Sequence, residues 1–195
     1  MANHVYSTFQ LKFVDTEDCT KFLQWLGHET DPEKYPENST YISRVEATSN
    51  CLFDSLFPDI PDTRDAWIDQ VGAKWCYLDD VNASDDTVYL NIVSAWDFPE
   101  GLFYKLSDFL REMFPNAKMQ GTFDDEGYCF IGAFASNQQF RDIEYFHPDE
   151  EFFDDPTYRD EDDCWTDEFY NEMSNKKDEL LDEVLSFTEQ SFDGQ

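Results

Sequence analysis

Alternating apolar and polar residues predict the strands of this chain. In VYSTFQLKFV, residues 5–14, the side chains of Val5, Phe9 and Leu11 fall on one face, as in a half-buried strand. Runs of the same kind predict further strands at 42–48, 75–81, 87–95, 117–123 and 128–134. The turn-forming residues ASDD, 83–86, separate two of these segments and predict a hairpin there. In the turn between the strands predicted at 117–123 and 128–134, Gly127 is the residue expected to adopt a positive φ.

Apolar residues at helical spacing predict three helices, at 16–26, at 99–114 and within 174–190. Their apolar faces consist of Cys19, Phe22, Leu23 and Leu26 in the first helix, Leu102, Leu106, Phe109, Leu110 and Met113 in the second, and Leu180, Leu181, Val184 and Leu185 in the last. Residues 30–42 hold two prolines among polar side chains and predict a loop.

This order of elements predicts an α+β fold, in which one antiparallel or mixed sheet carries two helices packed on one face. A chain of 195 residues, 41% of them hydrophobic, is long enough to bury one sizeable core. Residues 142–195 are richer in acid and hold 20 acidic and 3 basic side chains. We therefore predict a folded domain at 1–141 and an acidic, aromatic-rich extension at 142–195 that ends in a helix.

Short motifs stand in a recognisable order along the predicted domain. They are Leu56-Phe57-Pro58-Asp59-Ile60-Pro61, Trp67, Gly72-Ala73-Lys74-Trp75, Ser94-Ala95-Trp96 followed by Pro99, Phe114-Pro115, and Glu126-Gly127 with Gly132. In this order the motifs resemble the YubB-type ferredoxin-like domain family of bacteriophage and plasmid proteins, over about residues 4–135. The resemblance implies a ferredoxin-like sheet and a mobile-element context, but no reaction and no catalytic residues.

Net charge changes which partners are plausible. The chain holds 44 acidic and 13 basic residues, a formal charge of −31 at pH 7, which argues against direct binding to nucleic acid. No stretch reaches the roughly 18 consecutive apolar residues of a membrane span, and the first residues do not have the pattern of a signal peptide. We therefore expect no contact with a membrane and a cytoplasmic location, in the host cytoplasm if a phage encodes the protein.

Candidate chemistry is sparse. The five cysteines are widely spaced without a CxxC pair, and the three histidines have no partner at ligand spacing, so we expect reduced thiols and no metal site. Nucleotide-binding, zinc-protease and serine-hydrolase motifs are absent from the sequence. The sequence therefore favours a protein that is not an enzyme, with no catalytic residues and no cofactor.

Two tryptophans mark one end of the predicted hairpin. Trp75 begins its first strand and Trp96 follows its second, so we expect both rings at the same end of the sheet, where they close the core beneath the helices. The alternative is that this end of the sheet forms a site for a small ligand or an enzyme reaction.

The extension combines carboxylates with aromatic side chains, and this combination suggests the function. Carboxylates on a surface can imitate phosphates and occupy the basic groove of a nucleic-acid-binding protein, while aromatic anchors supply affinity. The predicted phosphate substitutes are Asp154, Asp155, Asp160, Glu161, Asp162 and Asp163, and the predicted anchors are Phe152, Phe153, Tyr158 and Trp165. The expected partner is a basic nucleic-acid-binding host protein, such as a defence nuclease, a CRISPR effector, a restriction enzyme or a polymerase. The alternative is an accessory protein whose acidic, solvated surface only keeps it soluble.

Overall fold

The computed structural model describes residues 3–28, 40–162 and 164–190, which form an α+β fold around one six-stranded antiparallel sheet. The strands are β1 (His4–Lys12), β2 (Cys76–Ser84), β3 (Thr87–Ala95), β4 (Lys118–Asp125), β5 (Ile131–Ser136) and β6 (Arg141–Phe146). The helices are α1 (Thr16–Trp25), α2 (Tyr41–Leu56), α3 (Arg64–Val71), α4 (Glu100–Met113), α5 (Glu150–Phe153) and α6 (Asp167–Gln190). Among the described residues, none of the helices has both the length and the apolar composition needed to cross a membrane.

The strands lie in the order β2-β3-β1-β4-β5-β6. β1 is central, and its Phe9 pairs with Leu90 of β3 on one side and with Gly121 of β4 on the other. A Cβ atom at Gly121 would lie 1.9 Å from the carbonyl oxygen of Thr8 and 2.6 Å from the ring of Phe134. Glycine is therefore required at this point, because any side chain would collide with the backbone of β1 and with the ring of Phe134.

The main core lies between the sheet and the helices α1, α2 and α4. Its centre is a group of fully buried phenylalanines: Phe9, Phe98, Phe103, Phe123 and Phe134. The rings of Phe98 and Phe123 stack with their centroids 4.2 Å apart. Phe22 of α1 and Phe109 of α4 extend this aromatic packing toward the other end of the sheet. Buried aromatic side chains contribute large apolar areas, so these rings account for much of the hydrophobic stabilisation.

A second layer covers the opposite face of the sheet. Val184 of α6 is buried against Ala133 and Ala135 of β5, and Phe169 and Met173 are buried against Ile131. All six residues of β5 are consequently buried, because α4 covers one face of the strand and α6 covers the other. The α-helix predicted at the end of the chain is confirmed and forms part of the folded body.

The structure confirms most of the predicted elements. The helices at 16–26 and 99–114, the hairpin around 83–86 and the predicted strands other than 42–48 are present, with edges shifted by a few residues. The strand predicted at 42–48 is wrong, because these residues belong to α2. In α2, Thr40 and Ser43 form a reciprocal capping box that starts the helix. Seven residues were too few to distinguish the period of a strand from that of a helix.

Four other predictions are corrected, the last of them in part. The described residues form six helices, which lie on both faces of the sheet, whereas three helices were predicted and two of them were expected on one face. Met113 is 56% exposed and does not belong to the buried stripe of α4. The positive φ in the turn after β4 belongs to Tyr128, at 56°, and not to Gly127. Most of the loop predicted at 30–42 lies outside the described residues, while Tyr41 and Ile42 begin α2.

β6 spans the boundary predicted between residues 141 and 142. Two residues of this strand contact α4: Arg141 binds Asp108 at 2.9 Å and lies over the ring of Tyr104 at 4.7 Å, and the Tyr145 hydroxyl donates to Glu100 Oε1 at 2.6 Å. The sheet therefore continues into the predicted extension, and the extension begins as a strand.

Candidate protein-binding surface

The segment between α5 and α6, residues 154–166, folds back on itself and is called the acidic loop here. Arg159 pairs with Trp165 as an isolated antiparallel bridge. The backbone N–H of Asp160 donates to the Cys164 carbonyl at 3.0 Å, and that of Thr166 donates to the Tyr158 carbonyl at 3.2 Å. The guanidinium of Arg159 also lies 3.3 Å from the centre of the Trp165 ring. These contacts give the loop a defined shape.

Two of the predicted phosphate substitutes hold this shape. Asp155 Oδ1 accepts hydrogen bonds from the backbone N–H of Thr157 at 2.9 Å and from its hydroxyl at 2.7 Å, which lower the pKa of the Asp155 carboxyl. Asp160 Oδ1 accepts from the N–H groups of Asp162 and Cys164, both at 2.9 Å. Both carboxylates therefore accept hydrogen bonds from the loop itself.

The six predicted acids differ in exposure. Asp154, Asp160, Glu161 and Asp162 are exposed, and Asp155 is half-buried. Asp163 lies outside the described residues. Among the described members, four of five carboxylates thus face solvent on the loop.

The aromatic residues of the segment pack beneath the loop and form the aromatic cluster, which consists of Phe152, Phe153, Tyr158, Trp165 and Phe169. Phe169 is fully buried at its centre, and Trp165 stacks on it with 3.9 Å between ring centroids and 10° between planes. Tyr158 meets the edge of the same ring at 5.6 Å. The four predicted anchors are therefore half-buried within the protein, where they tie the acidic loop to α6.

Carboxylates on the outer side of α6 enlarge the acidic surface. Asp167 and Glu168 lie in the first turn of this helix, where negative charge interacts favourably with the helix dipole. Among the residues of α6 whose side chains are described, the exposed acids are Asp167, Glu168, Asp178, Glu179, Asp182 and Glu183. Sequence reasoning did not single out these residues, although their positions opposite the apolar stripe of the predicted terminal helix could have identified them.

The acidic surface also reaches β6. Burial, together with the nearby carboxylates of Asp142 and Glu183, raises the pKa of Glu144. Lys177 of α6 binds Asp124 of β4 at 2.5 Å, so an ion pair also joins the helix to the sheet. The extension thus places like charges from a strand and a helix side by side, and buried apolar contacts hold them there.

The tryptophans of the hairpin do not close the core as predicted. Trp96 is 52% exposed, has a φ of 78° and lies 5.6 Å from the Lys74 ammonium. Trp75 is half-buried and stacks on Tyr77 at 5.7 Å. Cys76 faces the core, so strand alternation sends its neighbours Trp75 and Tyr77 to the opposite face. The two tryptophans do lie at the same end of the sheet, because the Ala95 N–H donates to the Trp75 carbonyl.

A groove of about 830 Å³ runs between α2 and the edge strand β2. Its most exposed apolar side chain is Ile42, at 76%, and Tyr41 and Tyr77 lie beside it. Asp79 and Asp80 also line the groove. The sequence analysis missed this groove because residues 42–48 were interpreted as a strand.

No candidate metal site is found in the part of the chain that the structure describes. No group of three or more His, Cys, Asp or Glu side chains there is arranged to hold a metal ion. All five cysteines are free thiols, of which Cys19 and Cys76 are buried and Cys129 and Cys164 are exposed.

Comparison with protein-family models, with curated proteins and with solved structures finds no match to this chain. Its function has to be inferred from the fold and from the surfaces described above.

Proposed function

We propose that this chain is a non-enzymatic acidic protein that binds the basic nucleic-acid-binding surface of another protein and blocks it by imitating nucleic acid. The partner is a host protein of the kind that handles DNA or RNA: a defence nuclease, a CRISPR effector, a restriction enzyme or a polymerase. The location is the host cytoplasm, where such partners act. No cofactor, metal or catalytic residue takes part.

The observation that carries this proposal is the attachment of the carboxylates to a packed frame. The acidic loop rests on the aromatic cluster, and α6 is buried against β5 through Phe169, Met173 and Val184. A surface that is already ordered loses less conformational entropy on binding than a flexible acidic tail does. The aromatic cluster packs beneath the acidic loop and holds its carboxylates in place. Its rings therefore act as a support for the loop, and not as exposed anchors for the partner.

The dimensions of α6 also support mimicry. Its 24 residues span about 36 Å at 1.5 Å per residue. One helical turn of duplex DNA has nearly the same length, about 34–36 Å. Carboxylates along α6 can therefore replace the phosphates of about one full helical turn in a basic groove. Long-range attraction between the opposite charges speeds the encounter.

We further propose that the chain is a ferredoxin-like protein of the YubB type, from a phage or plasmid. The order β4-β1-β3-β2, built from the sequence β1-α1-β2-β3-α4-β4, supports this, because it is the split βαβ arrangement of ferredoxin-like domains. In this interpretation α2 and α3 are insertions, and β5, β6 and α6 extend the sheet and cover its second face.

A loop variant without carboxylates tests the mimicry. It replaces the six acids of the loop with their amides: Asp154→Asn, Asp155→Asn, Asp160→Asn, Glu161→Gln, Asp162→Asn and Asp163→Asn. Asparagine retains the Oδ1 acceptor that residues 155 and 160 use within the loop, so the loop should keep its shape. A matched control neutralises five aspartates and one glutamate that are exposed elsewhere: Asp54, Asp59, Asp62, Asp65, Asp69 and Glu112.

The parent and both variants are used to capture proteins from host lysate at low and high salt, and the captured proteins are then challenged with duplex DNA. We expect the parent to retain a basic nucleic-acid-binding protein that DNA displaces and that high salt releases. The loop variant should bind this protein at least about tenfold more weakly, and the control should bind like the parent. Equal binding by the two variants, or a captured protein that DNA does not displace, would contradict the proposal.

A further inference from the structure

A smaller groove of about 350 Å³ differs in charge from the rest of the protein. It lies between the segment that leads into α3 and the residues just before β2, and its lining consists of Ile60, Pro61, Asp62, Thr63, Arg64, Trp67, Lys74 and Trp75. Two cations and one carboxylate meet there, in a chain with 44 acidic and 13 basic residues. The groove is thus a local basic site on an acidic protein.

The two cations are available to a ligand. Neither Arg64 nor Lys74 forms an ion pair with any of the described residues, whereas Lys12, Lys21 and Lys177 each bind a carboxylate. The ammonium of Lys74 lies 5.6 Å from the centre of the Trp96 ring. A cation without a counter-ion in a concave site attracts small anions.

The groove also contains the beginning of α3. Thr63 is the N-cap of this eight-residue helix, and its hydroxyl accepts from the N–H of Ala66 at 3.3 Å. Other N–H groups of the first turn have no partner inside the helix, and the helix dipole adds positive potential at this end. Asp65 in the first turn and Asp62 before the N-cap place two carboxylates near the same helix end, so an anion has to be held mainly by Arg64 and Lys74.

Two indole side chains line the groove, those of Trp67 and Trp75. Trp75 is half-buried, and flat aromatic surfaces stack well on nucleobases. The Nε1 of Trp67 has almost no accessible surface, so this donor takes no part in binding and Trp67 contributes only its ring.

We infer that this groove binds a nucleoside monophosphate, with the phosphate held by Arg64, Lys74 and the first turn of α3 and the base lying against Trp75. The volume of about 350 Å³ falls at the lower end of the range for small-ligand sites, which suits a mononucleotide. This inference does not depend on mimicry, because the groove lies on α3 and the start of β2, apart from the acidic loop and α6.

Calorimetric titration at low salt with AMP, adenosine and inorganic phosphate tests it. AMP should bind more tightly than either of its parts, because only AMP reaches both the cations and the indoles. Arg64→Gln and Lys74→Gln should each weaken AMP binding by about tenfold or more, since each removes a charged hydrogen-bond donor. Lys118→Gln is the matched control: Lys118 is exposed, has no ion pair among the described residues, and should be replaceable with less than a twofold effect.

Thermal melting of each variant shows whether it is folded, and Lys74→Arg, which keeps the charge, should restore most of the affinity that Lys74→Gln loses. Absence of saturable AMP binding overturns the inference. Binding of inorganic phosphate as tight as that of AMP overturns the nucleoside part, and equal affinities of Arg64→Gln, Lys74→Gln and Lys118→Gln overturn the location.

Discussion

Replacing Phe169 with alanine tests whether the aromatic cluster fixes the extension to the sheet. Phe169 is fully buried, and its ring meets those of Trp165, Tyr158, Phe152 and others. Truncation of a buried phenylalanine removes its transfer free energy and leaves a cavity, which together cost about 3–5 kcal/mol. For a chain of this length, such a loss lowers the melting temperature by roughly 10 °C.

Phe187→Ala is a suitable control, because Phe187 lies in the same helix but is 52% exposed. Its truncation should cost less than about 1 kcal/mol. Urea unfolding is followed by near-ultraviolet circular dichroism, which reports the packing of the tryptophans, and by far-ultraviolet circular dichroism, which reports the helices. The slope with urea should stay constant if only stability changes.

The same experiment separates two views of the domain organisation. Because β6 pairs with β5 and α6 packs on it, we expect one cooperative transition that moves as a whole in Phe169→Ala. An independent extension at 142–195 would instead lose its own structure while the rest of the chain kept its midpoint. A loss below about 1 kcal/mol, or one equal to that of the control, would refute the packing argument.

Two further predictions concern titration and thiol reactivity. Burial raises the pKa of the Tyr145 hydroxyl, and its hydrogen-bond partner Glu100 on α4 raises it further, so the neutral phenol favours the folded state. This contribution to stability is present below about pH 10 and is lost as the pH rises further. Tyr145→Phe should therefore cost about 1–3 kcal/mol at neutral pH, and urea midpoints should show a smaller alkaline loss than in the parent. Burial also raises the pKa of Cys76 and Cys19, so a chromogenic disulfide reagent should label Cys164 and Cys129 in the folded protein and Cys76 and Cys19 only after unfolding. Fast labelling of Cys76 in the folded state would contradict its burial.

Local periodicity was sufficient to predict β1, the hairpin of β2 and β3, and the helices α1 and α4. In these segments the residue pattern and the burial pattern have the same period, because each element has one face on the main core. The terminal helix was predictable for the same reason, from Leu180, Leu181, Val184 and Leu185. The excess of carboxylates could also be read from the sequence, since it is a property of composition.

The sequence left a weaker signal for β6. Its residues RDIEYF place Ile143 and Tyr145 on the core side, but the acids between them made the segment look like the start of a solvated extension. Pairing with β5 decides its state, because a strand at the edge of a sheet gains its ladder of hydrogen bonds only from its neighbour.

Tertiary structure alone decided which side chains form the surfaces. Trp75 and Trp96 were expected in the core, but the strand alternation set by Cys76 turns Trp75 outward, and a positive φ leaves Trp96 exposed. The aromatic residues of the extension were expected as exposed anchors, but Phe169, from a helix that follows them, gives them a ring to pack on. The basic groove at α3 brings together Arg64 and Lys74, which the length of α3 separates in the sequence. Periodicity in a sequence fixes which side chains share a face, whereas the partner of that face depends on contacts between residues far apart in the chain.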